Sequence, residues 1–444
     1  MAAHSNGASP RTGPSGTQVS RVQRFLRLLH PGVGLKRWAL IGAIGVAFCS
    51  IGLAYLIRKF FSVGFPDFLP WYFEGFFLLA IGGGAILLSM YGFYRALSPL
   101  FMRSKSIDVV ADTVYNRWSR GRGPKVVAIG GGTGQSVLLR GLRLHTDNLT
   151  AIITVADDGG SSGILRRELG VLPPGDFRNC LVALSEDESL LADLFQYRFG
   201  EGSGLKGHSF GNLFIVAMTN VTDSFDQALV ESSRVLAVRG GVLPSTSADL
   251  RLSARFSDGM VVRGESSITD HGGDIERLMI EPASAPAHPL AVQSIEEADI
   301  VVIGPGSLYT SILPNILVGG ISDALARTNA TVVYVCNVAT QVGETDSYSV
   351  RDHVEALHKH TFVDIADYVL ANSDPLPLDE RFAGQPVFHD GQSIPHAQVV
   401  LTDMADPTHP VRHDADKLAS AVMEVHASTN GRRRGAVELQ SSSV

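Results

Sequence analysis

A glycine-rich turn near residue 130 carries the clearest chemical signal in the sequence. Gly131, Gly132, Thr133 and Gly134 follow the apolar run KVVAIG and precede a segment with helical spacing. Backbone N–H groups of such a turn approach an anion closely, and the start of a helix adds a favourable dipole. The string lacks the third glycine of a GxGxxG fingerprint and the Lys-Ser/Thr of a Walker A loop. We interpret it as a phosphate-contacting loop, with a plain tight turn as the alternative.

A second glycine turn comprises Gly304, Pro305, Gly306 and Ser307, and it follows the strand-like run ADIVVI. It either lines the opposite wall of the same cleft or only connects a strand to a helix. Asn337 follows the next predicted strand. We expect that residue to complete the wall of the cleft, together with Thr340, Gln341 and Glu344.

Two adjacent carboxylates, Asp157 and Asp158, end the second predicted strand. Such a pair binds ribose hydroxyls or a divalent cation, and both residues are candidate catalytic residues. Gly160, Ser161 and Ser162 follow, and their amides and hydroxyls suit phosphate oxygens. The alternative is an acidic turn before a helix, with Ser161 or Ser162 as the N-cap. We favour the functional interpretation, because a simple turn does not require so many small residues.

Further polar candidates lie in the motifs LPPGDFRN and GHSFGN. Asp176 is a third candidate catalytic residue, and Arg178 could pair bidentately with phosphate; helix initiation by proline and aspartate is the alternative. The GxSxG match suggests a serine hydrolase, but a nucleophile elbow needs a strand directly before it, and the flexible loop GEGSGLK stands there. We therefore expect His208, Ser209 and Asn212 to present polar groups to a ligand.

Metal and disulfide chemistry find little support in the sequence. Cys49, Cys180 and Cys336 lie far apart without CxxC spacing, which excludes a disulfide framework or thiolate zinc site and suits a reducing compartment. Three histidines share one predicted helix, and we expect them to form a solvated face rather than a metal site: His353, His358 and His360.

The elements that must position these residues alternate between strands and helices from Pro124 onward. Apolar runs that end in glycines are typical of buried parallel strands, and βαβ units bind ligands at the carboxyl ends of their strands. Residues 246–282 alternate apolar and polar side chains and predict a small antiparallel β-meander. The predicted fold class is α/β, with a Rossmann-like, doubly wound, mostly parallel sheet and a small antiparallel insertion.

Charge separates the chain into two parts. Residues 1–120 hold 13 Lys/Arg and 4 Asp/Glu, a net charge of +9, whereas residues 121–444 hold 24 and 40, a net charge of −16. An acidic body argues against nucleic-acid binding. The +9 part contains two long apolar runs, 38–57 and 71–97, each long enough to cross a bilayer of about 30 Å.

These runs predict a two-helix transmembrane hairpin ahead of the α/β body. Basic residues flank its outer ends, so both termini and the main domain are expected in the cytoplasm, and residues 38–97 contact the inner-membrane lipid. The triple glycine Gly82–Gly84 is explained by helix packing. The predicted organisation is a disordered basic tail (1–36), the hairpin (37–97), a juxtamembrane linker (98–123), the α/β domain (124–427) and a disordered tail (428–444).

Several long strings resemble one known family. VVAIGGGTGQSVLLRGL, TVADDGGSSGILRRELGVLPPGDFRNCLVALS, LKGHSFGNLFIVAMT, IGPGSLYTSILPN and VCNVATQVGET are similar to bacterial gluconeogenesis factors of the YvcK type, within the superfamily of 2-phospho-L-lactate transferase. The resemblance covers about residues 124–427 and includes VRHDADKLA, where Arg412 matches a motif of the family. The N-terminal hairpin departs from the usual cytosolic members.

The resemblance implies a site for a UDP-sugar, UDP-N-acetylglucosamine or UDP-glucose, and a role in cell shape and envelope synthesis during gluconeogenic growth. It places Gly131–Gly134 and Gly304–Ser307 at phosphates, and Asn212 and Arg412 at the nucleotide. It also implies an alternative, a transferase that moves a phospholactyl group from a nucleotide diphosphate carrier with magnesium, for which Asp157 or Asp158 is the candidate ligand. We expect a homodimer, as α/β domains of this kind often dimerise.

Overall fold

A computed structural model of the chain describes residues 35–61, 73–101, 120–121, 123–185, 190–201, 204–375, 378 and 382–441. It contains two compact units, Met1–Ser119 and Arg120–Val444. The predicted N-terminal tail lies outside the described residues except at its last two positions. The greater part of the predicted juxtamembrane linker, 102–119, also lies outside them.

The first unit contains two packed helices, α1 (Leu35–Phe61) and α2 (Phe73–Phe101). Small residues bring their backbones together: a Cβ on Gly82 would lie 2.5 Å from Cys49 Sγ and 2.7 Å from the carbonyl oxygen of Gly45. The prediction that the triple glycine serves helix packing is confirmed for Gly82. Gly83 and Gly84 face open space.

The length and composition of the described helices do not identify a membrane span. The apolar stretches described within α1 and α2 are Leu40–Ala54 and Leu79–Gly92, and no single described helix is long and apolar enough to cross a bilayer. One bent pair, Leu308–Ile316 with Gly319–Arg327, meets the criteria by length and composition only. The transmembrane hairpin therefore stays a prediction.

The second unit is built on a seven-stranded parallel sheet with the order β10-β9-β8-β7-β1-β2-β3. Apolar β-branched runs such as VVAIG and IVVI are completely buried, as expected for strands covered on both faces. This confirms the predicted mostly parallel α/β sheet. Its strands are β1 (Val126–Gly130), β2 (Leu149–Ile153), β3 (Gly241–Pro244), β7 (Ile300–Ile303), β8 (Thr331–Val335), β9 (Tyr368–Asn372) and β10 (Gln398–Thr402).

Helices connect these strands, and several begin at side-chain caps. Ser209 and Ser224 cap two of them, and Ser349 forms a capping box with Asp352. The helices include α3 (Gly132–Leu142), α4 (Gly160–Leu169), α5 (Gly175–Leu184), α6 (Leu190–Gln196), α7 (Phe210–Thr222), α8 (Phe225–Val235), α9 (Glu265–His271), α10 (Pro289–Glu296), α11 (Leu313–Ile316), α12 (Gly319–Arg327), α13 (Val350–His360) and α14 (Ala415–Ser441), with a π-helical turn at Leu308–Ile312.

A three-stranded antiparallel sheet forms the small insertion, from β4 (Arg251–Phe256), β5 (Val261–Arg263) and β6 (Ile275–Glu281). The insertion itself is confirmed, but its order is β5-β4-β6, so β4 is central and the predicted meander is wrong. The reason is α9, a helix over GESSITDH that carries the chain across the sheet before β6 returns.

Two other expectations are wrong. Helix α14 continues to Ser441, so residues 428–441 are helical where the sequence predicts a disordered tail. On helix α13, His353 and His360 are buried instead of solvated. Each ring Nδ1 contacts the backbone carbonyl four residues earlier, at 2.8 and 2.7 Å, and burial lowers the pKa of both imidazoles.

Candidate functional site

The two glycine turns meet where the strand order reverses. The chain runs from β1 to β2 and β3 on one side of the sheet, and β7 then begins the other side next to β1. Ligands of open α/β sheets bind at such a switch point. The turns touch, because a Cβ on Gly134 would lie 2.7 Å from the carbonyl oxygen of Pro305, and one on Gly306 would lie 3.2 Å from that of Gly131.

A cavity of about 290 Å³ opens between the turns and the loops after β8 and before α14. Among the residues that line it, none is Asp or Glu, and Arg412 carries the positive charge. The Arg412 side chain is exposed and has no hydrogen bond or ion pair with the described residues. The lining residues are Gly131, Gly132, Thr133, Gly134, Val137, Pro305, Gly306, Ser307, Ser311, Asn337, Val338, Ala339, Thr340, Gln341, Ala383, Val411, Arg412 and His413. We call this cavity the glycine cleft.

Half-buried side-chain amides fix the backbone of the glycine cleft. Asn337 Nδ2 donates to the carbonyl of Gly306 at 2.9 Å, and Gln341 Nε2 donates to Ser307 Oγ at 2.7 Å. These contacts hold the second turn against the loop after β8. Gly304 itself has φ +83° and begins that turn without lining the cleft.

Sequence reasoning missed two amides that hold the first turn. Gln135 is 0% exposed, and its Nε2 donates to the carbonyls of Ala128 and Ile152, which ties α3 to β1 and β2. Asn315 Nδ2 donates to the carbonyl of Gly130 at 2.8 Å. The signal available for Asn315 was its place in the string SILPN.

Asp176 does not line the glycine cleft, but it contacts the backbone of the first glycine turn. Its Oδ2 accepts a hydrogen bond from the backbone N–H of Gly132 at 2.7 Å. It is therefore not a cap of its own helix, α5, which has Pro174 at the N-cap position and no side-chain cap. Burial raises the pKa of the Asp176 carboxyl to about 6, against the effect of the Gly132 hydrogen bond.

The raised pKa of Asp176 predicts how Asp176→Asn will change stability with pH. Between the ordinary pKa of 3.8 and about 6, the folded state holds a proton that the unfolded state releases, so charging Asp176 destabilises the fold as pH rises. We expect Asp176→Asn to have the higher thermal midpoint at pH 8 and the advantage to vanish by about pH 4. Thermal melts across that range measure it. The control Asp323→Asn replaces an exposed carboxylate, and its thermal midpoint should differ from that of wild type by the same amount at every pH. A difference between Asp176→Asn and wild type that is equally independent of pH would contradict the prediction.

Asp157 lies beside Asp176 in a group of acidic side chains. Gly159 N–H donates to its Oδ1 at 2.9 Å, yet burial raises the pKa of Asp157. Glu265 at the start of α9 belongs to the same group, and burial together with the charges of Asp157 and Asp158 raises its pKa to about 8. Sequence reasoning missed Glu265, because its segment was interpreted as part of a strand.

The Asp158 carboxylate forms structural hydrogen bonds to the start of α9. Its carboxylate accepts from the backbone N–H groups of Glu265 at 2.9 Å and Ser266 at 3.0 Å, and from Ser266 Oγ at 2.8 Å. A carboxylate at a helix N-terminus satisfies free N–H groups and complements the helix dipole. Asp158 therefore fastens the loop after β2 to α9 of the insertion.

Asp158→Asn is consequently expected to lower stability rather than alter a ligand contact. Loss of a charged helix cap costs about 1–2 kcal/mol. Chemical denaturation of the variant, with Asp323→Asn as the control, measures the effect. A variant of unchanged stability that lost ligand affinity would show instead that Asp158 contacts the ligand.

Five of the predicted polar residues form a second cluster that does not line the glycine cleft. Arg178 is 6% exposed, and its guanidinium donates to Ser209 Oγ, to Asn212 Oδ1 at 3.0 Å and to the side chain of Asn179. Ser161 Oγ bonds His208 Nδ1 at 2.9 Å and accepts from Asn212 Nδ2 at 3.1 Å. Burial lowers the pKa of Arg178, and the nearby charge of Arg198 adds to that effect.

The same cluster gives no support to the hydrolase interpretation. Ser209 is the N-cap of α7 and accepts from the backbone N–H of Asn212, and it lies in an isolated bridge with Arg198 instead of following a strand. Ser162 Oγ accepts from Gly175 N–H at 3.0 Å, so it joins α4 to α5 rather than capping α4, whose N-cap is Gly159. Gly160, with φ +45°, faces open space.

A family model described as 2-phospho-L-lactate transferase CofD matches residues 126–429. That range contains both glycine turns, the acidic group and Arg412. The chain therefore belongs to the 2-phospho-L-lactate transferase CofD family.

Relatives within the family are bacterial gluconeogenesis factors, as the resemblance to YvcK-type proteins implies. The protein of Nostoc sp. is 45% identical over 91% of this chain and 93% of its own length. The gluconeogenesis factor of Bacillus subtilis is 47% identical over 69% of this chain and 99% of its own length. A crystal structure of the Bacillus halodurans protein BH3568 is 44% identical, with a TM-score of 0.65 over 68% of this chain and 99% of that chain.

The coverage also differs between the relatives. The match to the Nostoc protein is longer than residues 120–444, so it includes earlier residues of this chain. The match to the Bacillus subtilis protein is shorter and covers almost all of that protein. The Nostoc relative therefore shares part of the segment before the α/β domain.

Proposed function

We propose that the chain binds a UDP-sugar, UDP-N-acetylglucosamine or UDP-glucose, in the glycine cleft. One observation carries the proposal: in a body of net charge −16, the residues that line this cleft include no carboxylate, while two glycine turns and Arg412 face it. Backbone amides at a helix N-terminus and one arginine suit a diphosphate. The diphosphate lies between Gly131–Gly134 and Pro305–Ser307.

The nucleotide end of the ligand is assigned to the wall formed by Asn337 and Arg412. Asn337 Nδ2 holds Gly306, which leaves its Oδ1 as an acceptor for the ligand. Asn212 has both ends of its amide engaged with Arg178 and Ser161, so it supports the neighbouring cluster instead of the nucleotide. The sugar end lies toward Asp176, which connects the cleft to that cluster through Gly132.

Isothermal titration calorimetry tests this binding. The full-length chain in detergent micelles is titrated with UDP-N-acetylglucosamine, with UDP-glucose and with UMP as the control that lacks the sugar and one phosphate. We expect saturable binding of at least one UDP-sugar, tighter than that of UMP. The absence of detectable binding at millimolar UDP-sugar would overturn the proposal.

We also propose that α1 and α2 anchor the protein in the cytoplasmic membrane. Their outward side chains are apolar; Leu40, Phe77 and Leu87 are 62%, 66% and 68% exposed. Contiguous exposed apolar surface of this kind suits lipid. The chain should sediment with membranes and be released by detergent but not by alkaline carbonate. Release by carbonate would contradict the anchor.

The proposed role is regulation of envelope synthesis and cell shape during growth on gluconeogenic carbon. The names of the relatives support it, because the Nostoc and Bacillus subtilis proteins are called gluconeogenesis factors. Expression of this chain in a Bacillus subtilis strain that lacks its own factor should restore growth and cell shape on such carbon. Failure of a stably expressed chain to restore either would count against the role.

A second candidate is favoured by the family description and by the acidic group beside the cleft. In that case the chain transfers a phospholactyl group from a nucleotide diphosphate carrier to an acceptor hydroxyl. The acceptor oxygen forms the new bond to phosphorus, the diphosphate bond breaks, and the nucleoside monophosphate leaves. Asp176, the neighbouring buried carboxyl whose pKa is raised to about 6, takes the proton of the acceptor hydroxyl. Incubation with a donor of this class and a hydroxyl acceptor should release nucleoside monophosphate, and Asp176→Asn should not.

Magnesium fits this site through one carboxylate. Within the described residues, no group of three or more His, Cys, Asp or Glu side chains is arranged to hold a metal ion. Mg²⁺ commonly uses one or two carboxylates together with substrate phosphates. Because Asp158 is engaged by α9, Asp157 is the residue that would hold the ion. The ion would neutralise charge on phosphate oxygens.

A further inference from the structure

A second cavity, of about 710 Å³, lies between α4 and the three-stranded sheet. Four arginines line it, although residues 121–444 carry a net charge of −16. Its volume lies within the range of about 300–1,000 Å³ that small-molecule sites occupy. Its charged lining consists of Arg166, Arg167, Arg251, Arg263, Asp158, Asp249 and Glu281. We call it the arginine cavity.

Arg166 has a fixed structural role in the wall of this cavity. Its Nε and Nη2 donate to Asp249 Oδ1 at 2.8 and 2.5 Å, and its Nη1 reaches the carbonyls of Ala156 and Asp157 at 3.3 and 3.2 Å. The side chain is 9% exposed. Arg166 therefore holds the backbone of the loop that carries Asp157.

The other three arginines are weakly engaged. Arg251 reaches Asp249 at 3.4 Å and Arg263 reaches Glu281 at 3.5 Å, with side chains 73% and 77% exposed. Arg167 makes one hydrogen bond, from Nη1 to the carbonyl of Asp158 at 3.2 Å. Exposed pairs of this kind are weak, so they exchange readily for another anion. Each guanidinium keeps most of its five N–H donors for that anion.

We propose that the arginine cavity is a second binding site, for a compact polyanion with clustered phosphates. Arginine forks match phosphate oxygens bidentately, and three weakly paired forks around one concavity suit several phosphate groups at once. A soluble molecule is favoured over a lipid headgroup, because the donors surround a cavity instead of lying on a flat surface.

An occupant of the arginine cavity also contacts the loop of the acidic group. Arg166 and Arg167 hold the carbonyls of residues 156–158, and Asp158 and Gly163 form part of the cavity wall. The side chain of Asp157 belongs to the acidic group beside the glycine cleft. Anion binding should therefore slow hydrogen exchange of the amides between 156 and 163.

Titration of the full-length chain in detergent micelles with inorganic tripolyphosphate tests the proposal. We expect the double variant Arg251→Gln/Arg263→Gln to lower the affinity at least about tenfold, since it removes two guanidinium groups that would bond the phosphates. The control Arg234→Gln/Arg327→Gln removes two exposed arginines that lie outside the cavity and should bind like wild type. Equal binding by the cavity variant, or no binding by wild type, would overturn the proposal.

Two further measurements separate this site from others. UDP-N-acetylglucosamine should bind the cavity variant as it binds wild type, so failure of the second site is distinguishable from failure of the glycine cleft. In nanodiscs, tripolyphosphate affinity should be equal with phosphatidylcholine alone and with added phosphatidylglycerol. Competition by phosphatidylglycerol that disappears in the cavity variant would identify a lipid headgroup as the occupant and overturn a soluble ligand.

Discussion

Replacement of Gly134 by alanine is expected to lower the affinity for UDP-N-acetylglucosamine by at least about a hundredfold while the domain remains folded. The new Cβ would lie 2.7 Å from the carbonyl oxygen of Pro305 and 3.0 Å from its carbonyl carbon. Both neighbours are backbone atoms, so the two glycine turns must separate. Overpacking of this kind costs about 1–3 kcal/mol of stability, which a domain of this size tolerates.

The loss of affinity follows from the amides that the turns present. If the turns separate, their N–H groups no longer converge on one diphosphate, and each hydrogen bond to a charged oxygen contributes roughly 1.5–3 kcal/mol. Gly319→Ala is the matched control, because Gly319 begins α12, has open space around its Cβ position and lacks a positive φ. Calorimetry should show wild-type affinity for the control. A Gly134→Ala protein that bound within about threefold of wild type would place the phosphates elsewhere.

Arg412→Gln is expected to lower affinity for the UDP-sugar by about ten- to a hundredfold and to leave stability unchanged. Arg412 is the positively charged residue among those that line the glycine cleft, and its side chain is exposed without a partner among the described residues. Its removal therefore breaks no contact that holds the fold. The neighbouring His413 cannot replace the charge, because burial lowers the pKa of its imidazole to about 4.

Arg327→Gln provides the control for Arg412→Gln. Arg327 is also exposed, and its partner Glu296 lies on α10. We expect the control to keep wild-type affinity and both variants to keep the wild-type thermal midpoint. Since electrostatic attraction is screened by salt, the affinity gap between wild type and Arg412→Gln should narrow at high ionic strength. If wild type and Arg412→Gln bound the UDP-sugar equally well at low salt, Arg412 would not belong to the site.

The sequence predicts the part of the site that is formed by loops at the carboxyl ends of the parallel strands. Parallel strands bring their carboxyl ends to one edge, so glycine turns after β1 and β7 had to lie close together, as did Asn337 after β8. Arg412 is assigned to the site only by its match to the family motif, because no local sequence pattern indicates that a residue before α14 reaches the cleft.

The remaining contacts depend on tertiary packing that no local pattern reveals. From the sequence alone, Asp158 is interpreted as a ligand-binding carboxylate. In the structure, the N-terminus of α9, more than a hundred residues later in the chain, packs against it. Glu265 is not predicted as a site residue, because it belongs to the strand-like run MVVRGES and no helix is expected after it. The sequence predicts a solvated face for His353 and His360, yet the structure buries both side chains.

Both proposed anion sites lie in an acidic body, and each would attract its ligand by a different means. In the glycine cleft the attraction comes from backbone amides and one arginine, and carboxylates are kept out of the lining. In the arginine cavity the attraction comes from side chains that are only weakly paired. The acidic group of Asp157, Asp176 and Glu265 lies beside the first and shares a loop with the second, and burial raises the pKa of all three carboxyls.

A structure of the full-length chain with UDP-N-acetylglucosamine tests the central claim most directly. The account predicts density for the diphosphate between Gly131–Gly134 and Pro305–Ser307, with the Arg412 guanidinium turned toward the nucleotide. Density for the ligand at any other place, with the glycine cleft empty at saturating concentration, would contradict it.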